Sequence, residues 1–209
     1  ASLDSIDDTQ WIATIEFPVE TAGEELTQLL NVLFGNISLK PGIRLESIDI
    51  PKGFDKWLRG PRFGQSGLRE ILDAPGRPLL ATALKPMGLS PAELATLAGD
   101  LARGGLDLIK DDHGLADQPF CPFEERVLRA AGAVGEAGGT CLYAPHISGP
   151  VHSLLERALF AREAGAGALM VAPGLVGWDA LRLLREHVGL PLLCHPAWLG
   201  STVVGRTQG

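Results

Sequence analysis

Hydrophobic and polar positions change rhythm along this chain. Near its start, residues 12–17 (IATIEF) are rich in β-branched and aromatic side chains and stop at Pro18, which predicts a strand. From Glu24 to Phe34 the apolar residues Leu26, Leu29, Leu30, Leu33 and Phe34 recur at helical spacing. Gly35-Asn36 ends that helix, and RLESIDI (44–50) alternates apolar and polar residues up to Pro51, which predicts a second strand. Strand, helix and strand in succession describe part of a small α+β unit. A stretch dotted with glycine and proline, 51–67, joins it to the rest of the chain.

Short apolar runs then alternate with amphipathic segments. LLATAL (79–84) lies between Pro78 and Lys85 and reads as a strand buried on both faces. LDLIK (106–110), TCLYAP (140–145), ALMVA (168–172) and LPLLCH (190–195) predict four more strands. Between them fall predicted helices over 91–103, with Ser90 as N-cap and Pro91 in the first turn, and over 123–137, 151–164 and 178–187. The alternation argues for parallel βαβ units, and the spacing suits a β/α barrel or a doubly wound sheet equally well. Lys85, the run Lys110-Asp111-Asp112-His113, His146 and His195 sit at four separate strand ends. Parallel strands bring their C-terminal ends to one face, so this placement favours the top of a barrel as the active site.

Composition narrows the class. The chain has 209 residues, 45% hydrophobic, with a formal net charge of −7. That excludes a disordered chain and argues against a general nucleic-acid binder, which shows a basic footprint. No apolar run is long enough for a membrane span, and the acidic start ASLDSIDDTQ lacks the basic region of a signal peptide. Cys121, Cys141 and Cys194 follow no metal-finger or C-x-x-C spacing, which points to a reducing, cytoplasmic setting.

The densest chemistry is LIKDDHG (108–114). Pleat alternation sends Lys110 and Asp112 to one side and Asp111 to the other. Asp112 and His113 offer an oxygen and an imidazole to a divalent cation, Mg²⁺ by the carboxylate or a transition metal by the imidazole. The competing reading is a solvated turn capped by aspartates. Lys85, at the end of an apolar strand, suits proton abstraction or phosphate binding, or it snorkels to the rim. His146, in APHISGP, is a ligand, an acid/base group or a turn residue. His195 is the best single candidate for a proton shuttle, against a satisfied core histidine. His152 and His187 fall on helices and read as surface residues. The glycine-bearing loops GPRFG (60–64) and GLVGW (174–178) read mainly as turns, with phosphate at the backbone amides near Gly174 as the minority reading.

At these residues the chain resembles the large subunit of ribulose-bisphosphate carboxylase/oxygenase, and within that family the RuBisCO-like proteins. RLESIDIP (44–51) and GPRFG (60–64) are similar to the end of the family's N-terminal domain and the start of its barrel. GRPLLATALKPMGLS (76–90) resembles the first barrel strand with its lysine loop. RGGLDLIKDDHGLADQPF (103–120) resembles the second strand with its metal site, ERALFAREAG (156–165) the third helix, and LLCHPA (192–197) the fifth strand.

The resemblance implies a (β/α)8 barrel, of which this chain holds about five β/α units in 61–209, preceded by part of an α+β ferredoxin-like domain in 1–60. It implies that Lys110 takes up CO2 as a carbamate and, with Asp112 and perturbed by His113 where carboxylases have glutamate, holds Mg²⁺. It implies proton transfer by Lys85, a role for His195 near the substrate phosphate and hydroxyls, and a homodimer whose active sites are shared through Asn36. Met87 and Pro196 stand where carboxylases carry a second lysine and an arginine, and both speak against carbon fixation. STVVGRTQG (201–209) resembles the family's mobile lysine loop only if a helix and a strand are deleted, so the match is set aside. The expected activity is metal-dependent enolisation of a phosphorylated keto-sugar or keto-acid, of isomerase/enolase type. The alternatives are decarboxylation of a 3-oxo sugar-acid phosphate, a lyase reaction, and a catalytically silent binding or regulatory relative. The length of the chain against that of a complete barrel leads us to expect a piece of a longer protein.

Overall fold

A computed structural model describes residues 1–54 and 58–202. Part of the joining stretch, 55–57, and most of the set-aside loop, 203–209, lie outside the described residues. The chain divides into two compact units, Ala1–Arg59 and Gly60–Gly209.

In the first unit, β1 (Ser2–Ser5) and β2 (Trp11–Thr14) form an antiparallel hairpin. Asp7 holds its turn, with Oδ1 accepting the N–H of Thr9 at 2.7 Å and of Gln10 at 2.9 Å. SLDS carries no strand pattern of its own, and β1 exists because β2 supplies its hydrogen bonds. Helix α1 (Leu26–Phe34) comes next, then a 3₁₀ turn over Asn36–Leu39. RLESIDI does not form the expected strand. Alternation creates a two-faced segment, but a strand also needs a neighbour to pair its backbone groups, and none lies beside it among the described residues. Leu45, Ile48 and Ile50 accordingly stay exposed, and Ala22 alone of the described residues in this unit is buried.

The second unit opens with α2 (Gly64–Ile71), which begins within the stretch expected to be a connector and runs past its end. Its glycines hide the helical signal, and packing supplies what propensity lacks: Leu68 and Leu72 sit against Ala74, Leu142, Ala144 and Ala168. Then come β3 (Ala81–Ala83), α3 (Pro91–Arg103), β4 (Leu108–Lys110), α4 (Phe123–Ala137), β5 (Leu142–Ala144) and α5 (Val151–Glu163). After them stand β6 (Leu169–Val171), α6 (Pro173–Val176), α7 (Asp179–His187), β7 (Leu192–Cys194) and α8 (Leu199–Thr202). Strands β3, β4 and β5 pair in parallel, as do β6 and β7. A parallel bridge between His146 and Met170 joins the two groups, with Met170 N–H donating to the Pro145 carbonyl at 2.9 Å.

Strand order therefore keeps to chain order from β3 to β7 without reversal. A doubly wound sheet turns back at a switch point, whereas a β/α barrel adds each strand beside the last. The unit has the second arrangement. Expectation and structure differ at β3, where Leu80 and Ala81 are exposed. Among the described strands β3 pairs only with β4, so it is an edge rather than a strand buried on both faces.

Local signals hold well on the helices. Ser90 Oγ accepts the Glu93 N–H at 3.4 Å while Glu93 Oε2 accepts the Ser90 N–H at 2.8 Å, a reciprocal cap that starts α3. Leu94, Ala98 and Ala102 of α3, Val127, Ala130 and Ala131 of α4, and Leu154, Ala158 and Ala161 of α5 share one core with Ile109, Tyr143 and Leu169 of the strands. The alanines let helices and strands approach closely. No helix among the described residues is long and apolar enough to cross a membrane.

At the start of β4, buried Asp107 accepts from Arg77 Nη1 at 2.7 Å and Nη2 at 2.5 Å, and from the Leu80 N–H at 2.8 Å. The Arg77 guanidinium first, then that N–H, hold its carboxyl down at about 2. A depressed carboxylate lends stability that is complete above its unfolded value, about 3.9, and lost as pH falls toward the folded one. Acid titration of thermal stability is expected to show an extra loss for the wild type over that window, absent in Asp107→Asn. Equal slopes for the two proteins would refute the pairing.

Candidate active site

Lys85 leaves the end of β3, and its Nζ meets Asp112 Oδ2, just past β4, at 2.5 Å. Asp112 Oδ1 accepts the Gly114 N–H at 2.8 Å and lies 3.5 Å from His113 Nδ1. Burial works to raise the Asp112 carboxyl, yet Lys85 and the Gly114 N–H outweigh it and hold the group below its usual range. Lys110 Nζ donates to the Asp111 carbonyl at 3.1 Å. Partial burial, reinforced by the nearby Lys85 charge and opposed by Asp112, lowers its pKa.

Asp111 turns the other way. Its carboxylate is fully buried and accepts from Arg126 Nε of α4 at 3.0 Å, Tyr143 Oη of β5 at 2.7 Å and the His146 N–H at 3.0 Å. Burial first, then the Asp111 charge, push the Tyr143 phenol well above its usual value, so it stays a donor. One carboxylate thus ties β4, β5 and α4 together beneath the strand ends. Arg126 also donates to the Cys121 carbonyl at 3.1 Å, and its guanidinium and that of Arg157 both lie over the Phe123 ring, at 5.5 and 5.2 Å from the centroid.

The two predicted strand-end histidines differ in tautomer. His146 Nδ1 lies 2.8 Å from the Leu115 carbonyl, and a carbonyl only accepts, so Nδ1 carries the proton. Nε2 is then a bare acceptor, buried and without a hydrogen-bond partner among the described residues. Burial above all lowers this ring's pKa and keeps it neutral. In His195, Nδ1 accepts the Ala197 N–H at 3.2 Å, which places the proton of the neutral ring on Nε2. Its ring stacks on His113 with centroids 4.5 Å apart and planes 12° from parallel. Burial, then the charges of His113 and Lys110, lower the His195 pKa.

Lys85, Lys110, Asp112 and His113 therefore gather at the ends of β3 and β4, His195 joins them from the end of β7 by stacking on His113, and His146 lies in a more buried position. Gly174 lies in α6. A Cβ built there would meet the Ala197 carbonyl oxygen at 2.5 Å, so close approach of the loops after β6 and β7 accounts for this glycine. Gly174→Ala is expected to cost about 1–3 kcal/mol, since a backbone oxygen cannot yield as a side chain does. Urea unfolding at wild-type stability would show that the loops separate freely. Asn36 is exposed in the first unit, in its 3₁₀ turn. His152 and His187 are on the surface, as read from the helical pattern.

Among the described residues no three His, Cys, Asp or Glu side chains converge on a metal-sized space. Asp112 and His113 furnish two donors, and Asp112 Oδ2 is a buried carboxylate oxygen whose partner here is the Lys85 ammonium. The donor set suits a divalent cation once Lys110 contributes an anionic oxygen as its carbamate. Sequence reading missed the Asp111–Arg126–Tyr143 anchor. Its signal was Arg126, a charge spaced with Phe123, Val127 and Ala130 on the apolar stripe of α4.

Residues 64–209 match the family described as ribulose bisphosphate carboxylase large chain, catalytic domain. The chain is 43% identical over 201 residues to ribulose bisphosphate carboxylase-like protein 1 of Rhodopseudomonas palustris, covering 94% of this chain and 55% of that protein. It is 40% identical over 188 residues to 5-methylthioribulose-1-phosphate isomerase of Rhodospirillum rubrum, covering 87% of this chain and 50% of that one. The crystal structure of a Rubisco-like protein from Rhodopseudomonas palustris superposes with a TM-score of 0.86 at 44% identity, over 94% of this chain and 58% of that one. The chain thus spans about half the length of the curated relatives it matches.

Proposed function

The chain belongs to the family of the ribulose bisphosphate carboxylase large chain, and from that premise we propose that its strand-end site serves isomerase/enolase chemistry on a phosphorylated keto-sugar or keto-acid, without fixing CO2. The carrying observation is the Lys85–Asp112 pair beside Lys110; Met87 and Pro196, standing where the resemblance implies a second lysine and an arginine in carboxylases, support the reading without CO2 fixation. The relative named as an isomerase of a ketose phosphate supports the same reading.

Asp112, His113 and carbamylated Lys110 would hold Mg²⁺, which when bound supplies positive charge to polarise a carbonyl. Carbamylation needs the free amine of Lys110: CO2 adds to the nitrogen and one proton leaves. Lys85 Nζ moves the proton on the carbon beside the carbonyl. His195 offers Nε2–H to the oxygen on which charge develops, a donor that its bond from Ala197 keeps in place. His146 Nε2, buried and acceptor-only, suits a substrate hydroxyl. Asn36 belongs to the shared site of a homodimer in this reading.

The test is a screen of keto-pentose phosphates and 3-oxo acid phosphates in D2O with Mg²⁺ and bicarbonate, monitoring deuterium uptake by NMR and CO2 release. Uptake without CO2 release is expected. CO2 release would replace the proposal by a decarboxylase, and neither signal by a protein retained for binding.

A further inference from the structure

Asp112 is 5% exposed, and what faces its Oδ2, at 2.5 Å, is the Lys85 ammonium, itself 64% exposed. A buried carboxylate needs a compensating positive charge. Here the compensation comes from an exposed side chain, on the carboxylate assigned to a divalent cation in the proposed function. The other face of the carboxylate is just as defined. A Cβ built on Gly114 would lie 3.2 Å from Asp112 Oδ1 and 3.4 Å from both Cε and Sδ of Met87, so the thioether and that oxygen flank one point. The β3 loop thus lays one cation and one neutral side chain over Asp112. Lys110, the other nearby ammonium, is spent on the Asp111 carbonyl.

From this geometry we infer that Lys85 is the internal counter-ion of Asp112, and that a divalent cation binds there by exchanging with its ammonium. The inference rests on the proposed metal site and adds an order to it: cation arrival releases Lys85 toward substrate. The lysine is held against its carboxylate while the site is empty of cation and set free once the site is loaded. Met87 tunes the exchange, because a lysine in its place would set a second ammonium beside Oδ1 and oppose the cation further.

The experiment measures Mn²⁺ binding to the full chain by electron paramagnetic resonance of the free ion, with and without bicarbonate. Lys85→Gln, Met87→Lys and Asp112→Asn are compared with the wild type. Lys85→Gln is expected to bind roughly three- to ten-fold more tightly, and Met87→Lys more weakly by a similar factor, the size set by a partly exposed ion pair. Asp112→Asn is expected to lose the site, with circular dichroism establishing that it folds. In the wild type, acylation of Lys85 read by mass spectrometry is expected to rise as Mn²⁺ saturates, and in Asp112→Asn to be high without metal. If Lys85→Gln keeps the wild-type affinity while Asp112→Asn abolishes binding, the exchange is wrong and the metal site stands. If Asp112→Asn binds Mn²⁺ as the wild type does, the metal reading and the exchange both fall. Lys85 acylation that ignores Mn²⁺ also overturns the exchange, and this arm needs no variant.

Discussion

Lys110→Ala is expected to lower metal-dependent deuterium uptake by roughly 10³-fold or more, the several kcal/mol of charge stabilisation that a bound divalent ion would bring to a carbonyl. The residue occupies the last position of β4, and its one hydrogen bond goes to the backbone carbonyl of Asp111. Alanine removes the amine that would accept CO2 and leaves that carbonyl free to meet water, so the fold is expected to survive. The measurement is the rate of proton loss from the substrate identified in the screen, at saturating Mg²⁺ and bicarbonate, beside a urea unfolding curve. Undiminished exchange in a folded Lys110→Ala protein would remove Lys110 from the site. Stability lost together with activity would assign the lysine a structural role instead.

Asp111→Ala unfolds far more easily than the wild type, by about 3–5 kcal/mol. The carboxylate is fully buried, and deleting it strands three donors at once: the Arg126 guanidinium, the Tyr143 hydroxyl and the His146 N–H. Arg126 is the decisive loss, because its charge has no path to water from the buried face of α4. Arg126→Met alone is destabilising as well, since it leaves Asp111 charged with two neutral donors. The double variant Asp111→Asn/Arg126→Met is expected to recover part of the loss, removing both charges while an amide oxygen still accepts from Tyr143. Urea unfolding of the wild type, Asp111→Asn, Arg126→Met and the double variant forms the cycle. Strictly additive effects would mean that the two side chains do not act as a pair.

Much of the second unit is legible in the amino-acid sequence. Helices over 91–103 and 123–137 lie where periodicity and the Ser90 cap put them, and each predicted barrel strand forms within its apolar run. These signals work because they are local: a repeat of 3.6 or 2 residues, a cap, a turn residue. The failures share one cause. RLESIDI has the pattern of a strand and no partner, β1 has a partner and no pattern, and α2 is helical through packing on residues up to a hundred positions away. Pairing and burial depend on distant neighbours, which a local pattern does not carry.

At the site the division is similar. The sequence by itself determined that ionisable groups stand at four separate strand ends and that pleating separates Asp112 from Asp111. Tertiary structure decided what each group does there. Only the arrival of Arg126 and Tyr143 makes Asp111 an anchor, and only Lys85, reaching across from β3, gives Asp112 its counter-ion. The Leu115 carbonyl and the Ala197 N–H set opposite tautomers on His146 and His195, two residues that look alike in sequence. Charge type is written in the chain residue by residue, whereas its pairing, protonation and direction arise from groups far apart in sequence that the parallel strands bring within a few ångströms.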